Sequence, residues 1–186
     1  DYSQRIPVAG SDELARLGGS FNAMMAAIQE RETELRKLTD LQRTILDNAA
    51  HGIISATPDR MVTSFNPAAE RLLGYSATEV IDRMNPSQWH DPAELEERAR
   101  QLSEELGEAI TPSFEVFAAL PRRNRPEERE WTYIRKDGRR IPVSLSITAL
   151  RNDQGDVVGL VGLSYDLRER KQAEQALQRL NRELRA

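Results

Sequence analysis

Between Glu130 and Glu174 the chain runs almost without interruption from strand-forming into helix-forming sequence. Trp131, Tyr133 and Ile134 are strand formers. Asp137-Gly138 follows, a strong signal for a two-residue hairpin turn. Ile141, Val143, Leu145 and Ile147 then alternate with Pro142, Ser144, Ser146 and Thr148, the period of a half-buried strand. Asn152 to Gly155 predicts a second turn and Val157 to Tyr165 a third strand, whose Gly159 and Gly162 permit close approach of a packed neighbour. The run then enters Asp166-Leu167-Arg168-Glu169-Arg170-Lys171-Gln172-Ala173-Glu174, which is charged and helical. A sheet that ends in a helix with no intervening loop couples the two mechanically, and the rest of the chain is read around that junction.

Upstream, Gly52 to Ala56 and Met61 to Phe65 predict two short strands around a turn at Thr57-Pro58-Asp59-Arg60. Asn66-Pro67 is a helix start, Asn as N-cap and Pro at the first helical position, with Gly74 as the stop. Ser76 to Glu79 is a capping box that predicts a short helix over Val80 to Arg83. Pro92 to Leu106 predicts a longer helix, and Phe114 to Phe117 has no assignable form. The economical closure is α+β: a five-stranded antiparallel sheet with short helices on one face. In that closure Leu72, Val143, Leu145 and Ile147 belong to the core.

Both ends carry helical seams. Ser11 is the expected N-cap of the first. Leu14, Leu17, Phe21, Met24 and Ile28 then fall at alternating spacings of three and four, the stripe of a helix in a bundle or coiled coil. Its extension through Arg31, Leu35, Leu38, Gln42 and Ile45 includes two polar positions, and Gly18-Gly19 soften the helix at about 1 kcal/mol each against Ala. At the other end Ala173, Leu177, Leu180 and Leu184 repeat the seam. Such stripes need a partner helix, so a homodimer through parallel helices is expected.

Composition narrows the function. A net charge of -4 gives no bulk attraction to nucleic acid. Without cysteine there is no disulfide, thiolate metal site or cysteinyl photoadduct. Two histidines leave little for metal or haem ligation. His90, followed at once by Asp91-Pro92, is read as a surface or capping residue, and His51 as structural or exposed. Arg122, Arg123 and Arg125 stand near Glu127, Glu128 and Glu130 and predict a solvated loop. No phosphate loop, nucleophile elbow or paired catalytic carboxylates are present, so no catalytic residue and no metal site is assigned, and this stretch is expected to catalyse nothing. No apolar run reaches the roughly 20 residues needed to span a bilayer.

Two resemblances sharpen this. Asp12-Glu13-Leu14-Ala15-Arg16-Leu17 with Phe21-Asn22-Ala23-Met24 resembles the second helix of a HAMP domain, which makes Glu13, Leu14, Leu17, Phe21, Met24 and Ile28 its packing residues. Ala15 stands where the family usually has Gly. Phe65-Asn66-Pro67-Ala68-Ala69-Glu70-Arg71-Leu72-Leu73-Gly74-Tyr75-Ser76, the Arg-Lys-Asp-Gly hairpin and the terminal Asp166 to Glu174 run resemble a PAS domain with its C-terminal linker. Asp82 stands where many members have Gly, and Arg168 where the terminal Asp-x-Thr triplet has Thr.

The resemblances imply the C-terminal part of a HAMP domain at residues 1–30, a signalling helix at 31–46, a PAS domain at 41–166 and an output coiled-coil linker at 167–186. They imply the cytoplasmic part of a bacterial inner-membrane sensor, joined to the membrane only through segments ahead of this stretch. A C-terminal output domain would follow, a histidine kinase or, as the alternative, a diguanylate cyclase. Signal relay is expected through Asp166, Arg168, Arg170, Leu177, Leu180 and Leu184. No cofactor is predicted. A cavity lined by Phe65, Leu72, Trp131 and Ile147 would take a small molecule of unassigned chemistry, a flavin or haem sensor being the alternative. Aromatics such as Phe65, Trp89 and Trp131 in so small a domain also serve as plain core.

Overall fold

The computed structural model describes residues 13–183, with the side chains of residues 13–15 outside that description. The predicted cap Ser11 and the seam residue Leu184 therefore lie outside the described residues. The chain divides into two compact units, Asp1–Ile45 and Leu46–Ala186.

Helix α1 (Glu13–Asp47) supplies the described part of the first unit, and its last two residues belong to the second. It is 35 residues long, roughly 50 Å at 1.5 Å per residue, and Gly18-Gly19 do not interrupt it. Among the described residues most of its seam is open to solvent. Leu17, Met24, Leu35, Leu38 and Ile45 are exposed, and Phe21 and Ile28 are half-buried.

The second unit is built on a five-stranded antiparallel sheet in the order β2-β1-β5-β4-β3. Strands β1 (Gly52–Ala56), β2 (Val62–Phe65), β3 (Glu127–Ile134), β4 (Arg140–Arg151) and β5 (Val157–Asp166) follow the expected segments closely. Helices α2 (Pro67–Leu73), α3 (Ala77–Val80), α4 (Pro92–Leu106) and α5 (Glu115–Ala118) contribute to one apolar cluster with the inward residues of the sheet. On β4 the alternation is complete: Ile141, Val143, Leu145 and Ile147 are buried and Leu72 packs in the same core. On the other face Leu163 and Tyr165 are exposed.

Three turns share one design that differs from the two-residue hairpin expected at Asp137-Gly138. The residue before the turn donates its N–H across it, from Thr57 to Met61 O, Arg135 to Arg139 O and Asn152 to Asp156 O. An inner bond closes each one, from Arg60, Gly138 and Gly155 back to the carbonyls of Thr57, Arg135 and Asn152. Only the fourth residue takes a positive φ, 74° at Arg60, 80° at Gly138 and 87° at Gly155. This is a type I turn followed by a left-handed residue, a longer loop than the mirror-image turn that Asp-Gly suggested.

The capping box at Ser76 and Glu79 forms, but its helix is Ala77–Val80, not Val80 to Arg83. Ile81 leaves the helix in extended backbone and Asp82 turns left-handed at φ 58°. A short polar side chain tolerates that conformation, which accounts for Asp in a position where glycine is common. Phe114, Val116 and Phe117 prove to be buried at and within the short helix α5, while Glu115 between them is half-buried. Arg122, Arg123 and Arg125 are exposed, as the composition suggested, and pair with Glu115, Glu108 and Glu105.

Candidate functional site

The chain enters and leaves the sheet at one place. Gly52 at the start of β1 pairs with Ser164 near the end of β5. Just outside them the His51 and Tyr165 rings meet edge to face, centroids 4.1 Å apart.

Asn66 organises the entry. Its side chain caps α2 as the sequence predicts, with Oδ1 accepting from Ala69 N at 2.9 Å. The same oxygen accepts from Ile53 N at 2.8 Å, and Nδ2 donates to the carbonyls of Leu46 and His51, both at 3.0 Å. The residue is buried, and all four hydrogen bonds fix the amide orientation. Leu46 lies in the last turn of α1, where carbonyls lack intrahelical partners. One carboxamide thus joins the end of α1, the start of β1 and the start of α2. Reading Asn66 as a cap alone misses three of those bonds, because their partners are distant in sequence.

Asp166 and Leu167 organise the exit into α6 (Arg168–Glu183). Asp166 Oδ1 accepts from Arg168 N at 2.9 Å, and Oδ2 accepts from Arg168 Nε at 2.9 Å and Nη2 at 2.6 Å. Partial burial works against ionisation of Asp166, yet hydrogen bonds from the Arg168 side chain and backbone hold its carboxyl below the usual range. Arg168 therefore answers Asp166 from the position where the resemblance expects a hydroxyl. Arg170 turns away and pairs with Glu174 at 3.0 Å. Two unpredicted residues fix the helix to the sheet. Leu167 is buried and its N–H donates to Pro142 O at 3.0 Å, and Lys171 Nζ reaches Glu130 at 2.5 Å. Along α6 Leu177 and Leu180 are 60% and 53% exposed, an apolar stripe left open among the described residues.

Beneath the sheet lies a cavity of about 40 Å³. Ile147 borders it, with Leu145, Leu160, Phe117, Tyr133 and His90. Phe65, Leu72 and Trp131 are buried but do not line it; Phe65 packs against Trp89, and Trp131 against Phe117 and His90, which do. Ligand sites for drug-sized molecules run to about 300–1,000 Å³, far beyond this space.

His90 is not the surface residue its neighbours in sequence suggest; it is only 3% exposed. Pro86–Trp89 form a single 3-10 turn, and Asp91 caps α4 through Ala93 N, so the imidazole between them is carried inward. It packs against Phe117, Trp131 and Tyr133 with ring centroids 4.4, 5.3 and 4.8 Å away. Burial lowers its pKa to about 3, against the opposing effect of a hydrogen bond to the Pro86 carbonyl. Burial likewise pushes the Tyr133 hydroxyl upward. Among the described residues no group of three or more His, Cys, Asp or Glu could hold a metal ion, and no helix is long and apolar enough to cross a membrane.

Known proteins agree with this architecture. Residues 50–169 match the PAS domain family and residues 1–30 the HAMP domain family. The signal transduction histidine-protein kinase AtoS of Escherichia coli is 23% identical over 97% of this chain and 26% of its own length. The sensor histidine kinase MtrB of Mycolicibacterium paratuberculosis is 35% identical over 40% of this chain and 12% of its own length. The chain therefore spans about a quarter or less of these relatives. A PAS domain from a two-component sensor histidine kinase superposes with a TM-score of 0.51 at 16% identity, covering 72% of this chain and 98% of that one. The PAS domain of a Colwellia psychrerythraea protein gives 0.52 at 17% identity, covering 69% and 96%. With the sheet order, the helices on its inner face and a match over well over half of its length in accord, the chain belongs to the PAS domain family, preceded by a HAMP segment.

Proposed function

We propose that this chain is the signal-relay region of a bacterial membrane-bound sensor histidine kinase. Residues 1–30 form the C-terminal part of a HAMP domain, 31–46 a signalling helix, 41–166 the PAS domain and 167–186 the linker to the output domain. The presence of HAMP and PAS segments in a stretch similar to sensor histidine kinases supports the assignment. The observation that carries it is the shared entry and exit. Asn66 binds the last turn of α1, Asp166 binds the first turn of α6, and the strands between them are hydrogen-bonded neighbours. A displacement at one helix end reaches the other through two paired strands and no flexible loop. The relay works by shifting a dimer between two packings of similar energy.

Asp166→Asn in the full-length protein tests the relay. Asn keeps the cap on Arg168 N and loses the charge that pairs with the guanidinium. That partly exposed pair contributes at most about 1 kcal/mol, so the melting temperature should barely move. Phosphorylation of the output domain should change in its basal or stimulated level. Wild-type output in both states would leave Asp166 a helix cap and remove the exit half of the proposal.

A further inference from the structure

Helix α6 leaves the sheet without packing on it. None of its residues is buried, so no apolar contact sets the direction in which it points. Beyond the Asp166 cap, two contacts hold it. The Leu167 N–H bonds the Pro142 carbonyl on β4, and Lys171 Nζ lies 2.5 Å from a Glu130 carboxylate oxygen on β3. Strand register gives the reach of the second contact. Glu130 stands opposite Ser144, and Ser144 opposite Tyr165. Neighbouring strands lie about 4.8 Å apart, so Glu130 is about 10 Å to the side of the strand that runs into α6. Lys171 meets it when the helix leans from β5 across β4. A helix held at one point swivels about that point, and a second contact to one side fixes its direction. Among the described residues Glu130–Lys171 is the one ion pair that joins α6 to β3.

We propose that Glu130 is a positioning residue for the relay, holding Lys171 as a releasable strut that sets the direction in which α6 leaves the sheet. The inference rests on the relay reading and adds to it a second path into the output helix. The two side chains are 59% and 41% exposed, so the pair is screened by salt and does little for folding. Little is needed, because two packings of similar energy change several-fold in population for a contact of that strength. The strut also ties α6 to the strand that α4 covers. Arg98 on α4 pairs with Glu127 at 2.7 Å, and Glu94 accepts from Thr132, so α4 grips β3 on both sides of Glu130. A displacement of α4 or β3 therefore reaches α6 by a path that does not pass through Asp166.

The test uses the absence of cysteine, which lets spin labels be placed at introduced sites alone. The full chain carries labels at Asp59→Cys, in the turn into β2 at the far edge of the sheet from β3, and at Gln178→Cys, exposed on α6. Dilution with unlabelled chain isolates the distance within one copy. Glu130→Gln and Lys171→Gln should each broaden the distribution or move its mean, and the double variant should go no further than either, because both remove one interaction. Glu130→Lys with Lys171→Glu should restore the wild-type distribution. In the full-length protein the two single variants should change basal phosphorylation in the same direction, by about twofold or more, and the charge swap should bring it back. The urea midpoint should stay in place throughout, which a contact that merely held the fold together would not allow. An unchanged distribution in Glu130→Gln, a charge swap that fails to restore it, or wild-type output from a variant whose distribution has moved would overturn the proposal. The distances are read with Asp166 intact, so this inference can fail while the Asp166→Asn result stands, or the reverse.

Discussion

Asn66 separates two roles that sequence reading merges. As a helix cap, Asp would serve equally well. As a buried carboxamide, Asn alone donates to Leu46 O and His51 O while accepting from Ile53 N and Ala69 N. Asn66→Asp would set a carboxylate against two carbonyls and strip both of their side-chain donor, leaving Leu46 O only the long 3.4 Å bond from Ala49 N. A loss of about 2–4 kcal/mol in urea unfolding is expected, and a loss under about 0.5 kcal/mol would reduce the residue to its cap. His90 gives a pH signature. Its neighbours are Phe117, Trp131, Tyr133 and the Pro86 carbonyl, and the adjacent Asp91 is held by Arg140. With the folded pKa lowered to about 3 from 6.5, the unfolded chain binds more protons between those values. Stability therefore falls as pH falls through that window, by up to about 1.4 kcal/mol per unit. His90→Phe should flatten that part of the profile, leaving the steeper carboxylate region below it.

At the level of elements, α4 protects the open side of β3. β3 is an edge strand, which natural sheets cover or blunt. Glu94 accepts from Thr132 N at 2.6 Å and Thr132 Oγ1 at 2.7 Å, Asp91 N donates to Thr132 O, and Arg98 pairs with Glu127 at 2.7 Å. Glu94→Ala should cost about 1–3 kcal/mol and raise amide exchange at Thr132 selectively, a pattern that simple loss of helix propensity would not give. In the first hairpin Arg60 occupies the left-handed position that glycine fills in the other two. Arg60→Gly should thus be neutral or stabilising by up to about 1 kcal/mol in urea unfolding, and a clear loss would show that its 3.6 Å pair with Glu115 matters more than backbone strain. The strands, α2 and α4 were legible because their signals are local: alternation on β4, Asn-Pro and Gly around α2, Asp-Pro at α4. The register linking Gly52 to Ser164, the burial of His90 and the anchoring of Leu167 were not legible, because each depends on residues far apart in the chain. The same limit applies to the cavity, where strand alternation points to Ile147 but another wall comes from the segment around His90.

For the molecule as a whole, the unresolved balance is apolar surface. Leu177 and Leu180 on α6, and Leu17, Leu35, Leu38 and Ile45 on α1, are all more than half exposed in one copy. Burying a leucine is worth about 1.5–3 kcal/mol, so leaving two such stripes wet is expensive enough to drive association. Seams that precede and follow the PAS unit in sequence fit a parallel dimer in which seam meets equivalent seam. An antiparallel pairing would set the two chains in opposed directions, and a common displacement could not pass along both in step. Sedimentation of the full chain should therefore show a dimer at micromolar concentration. Leu177→Glu with Leu180→Glu should shift it toward monomer by placing like charges in the seam, while the PAS core keeps its urea midpoint, because neither side chain is buried in the single copy. Spin labels at position 177 should lie within about 20 Å of each other in the dimer, since helices pack 8–10 Å apart. A monomer at high micromolar concentration, or labels well beyond that distance, would contradict the relay geometry even if the PAS fold itself were intact.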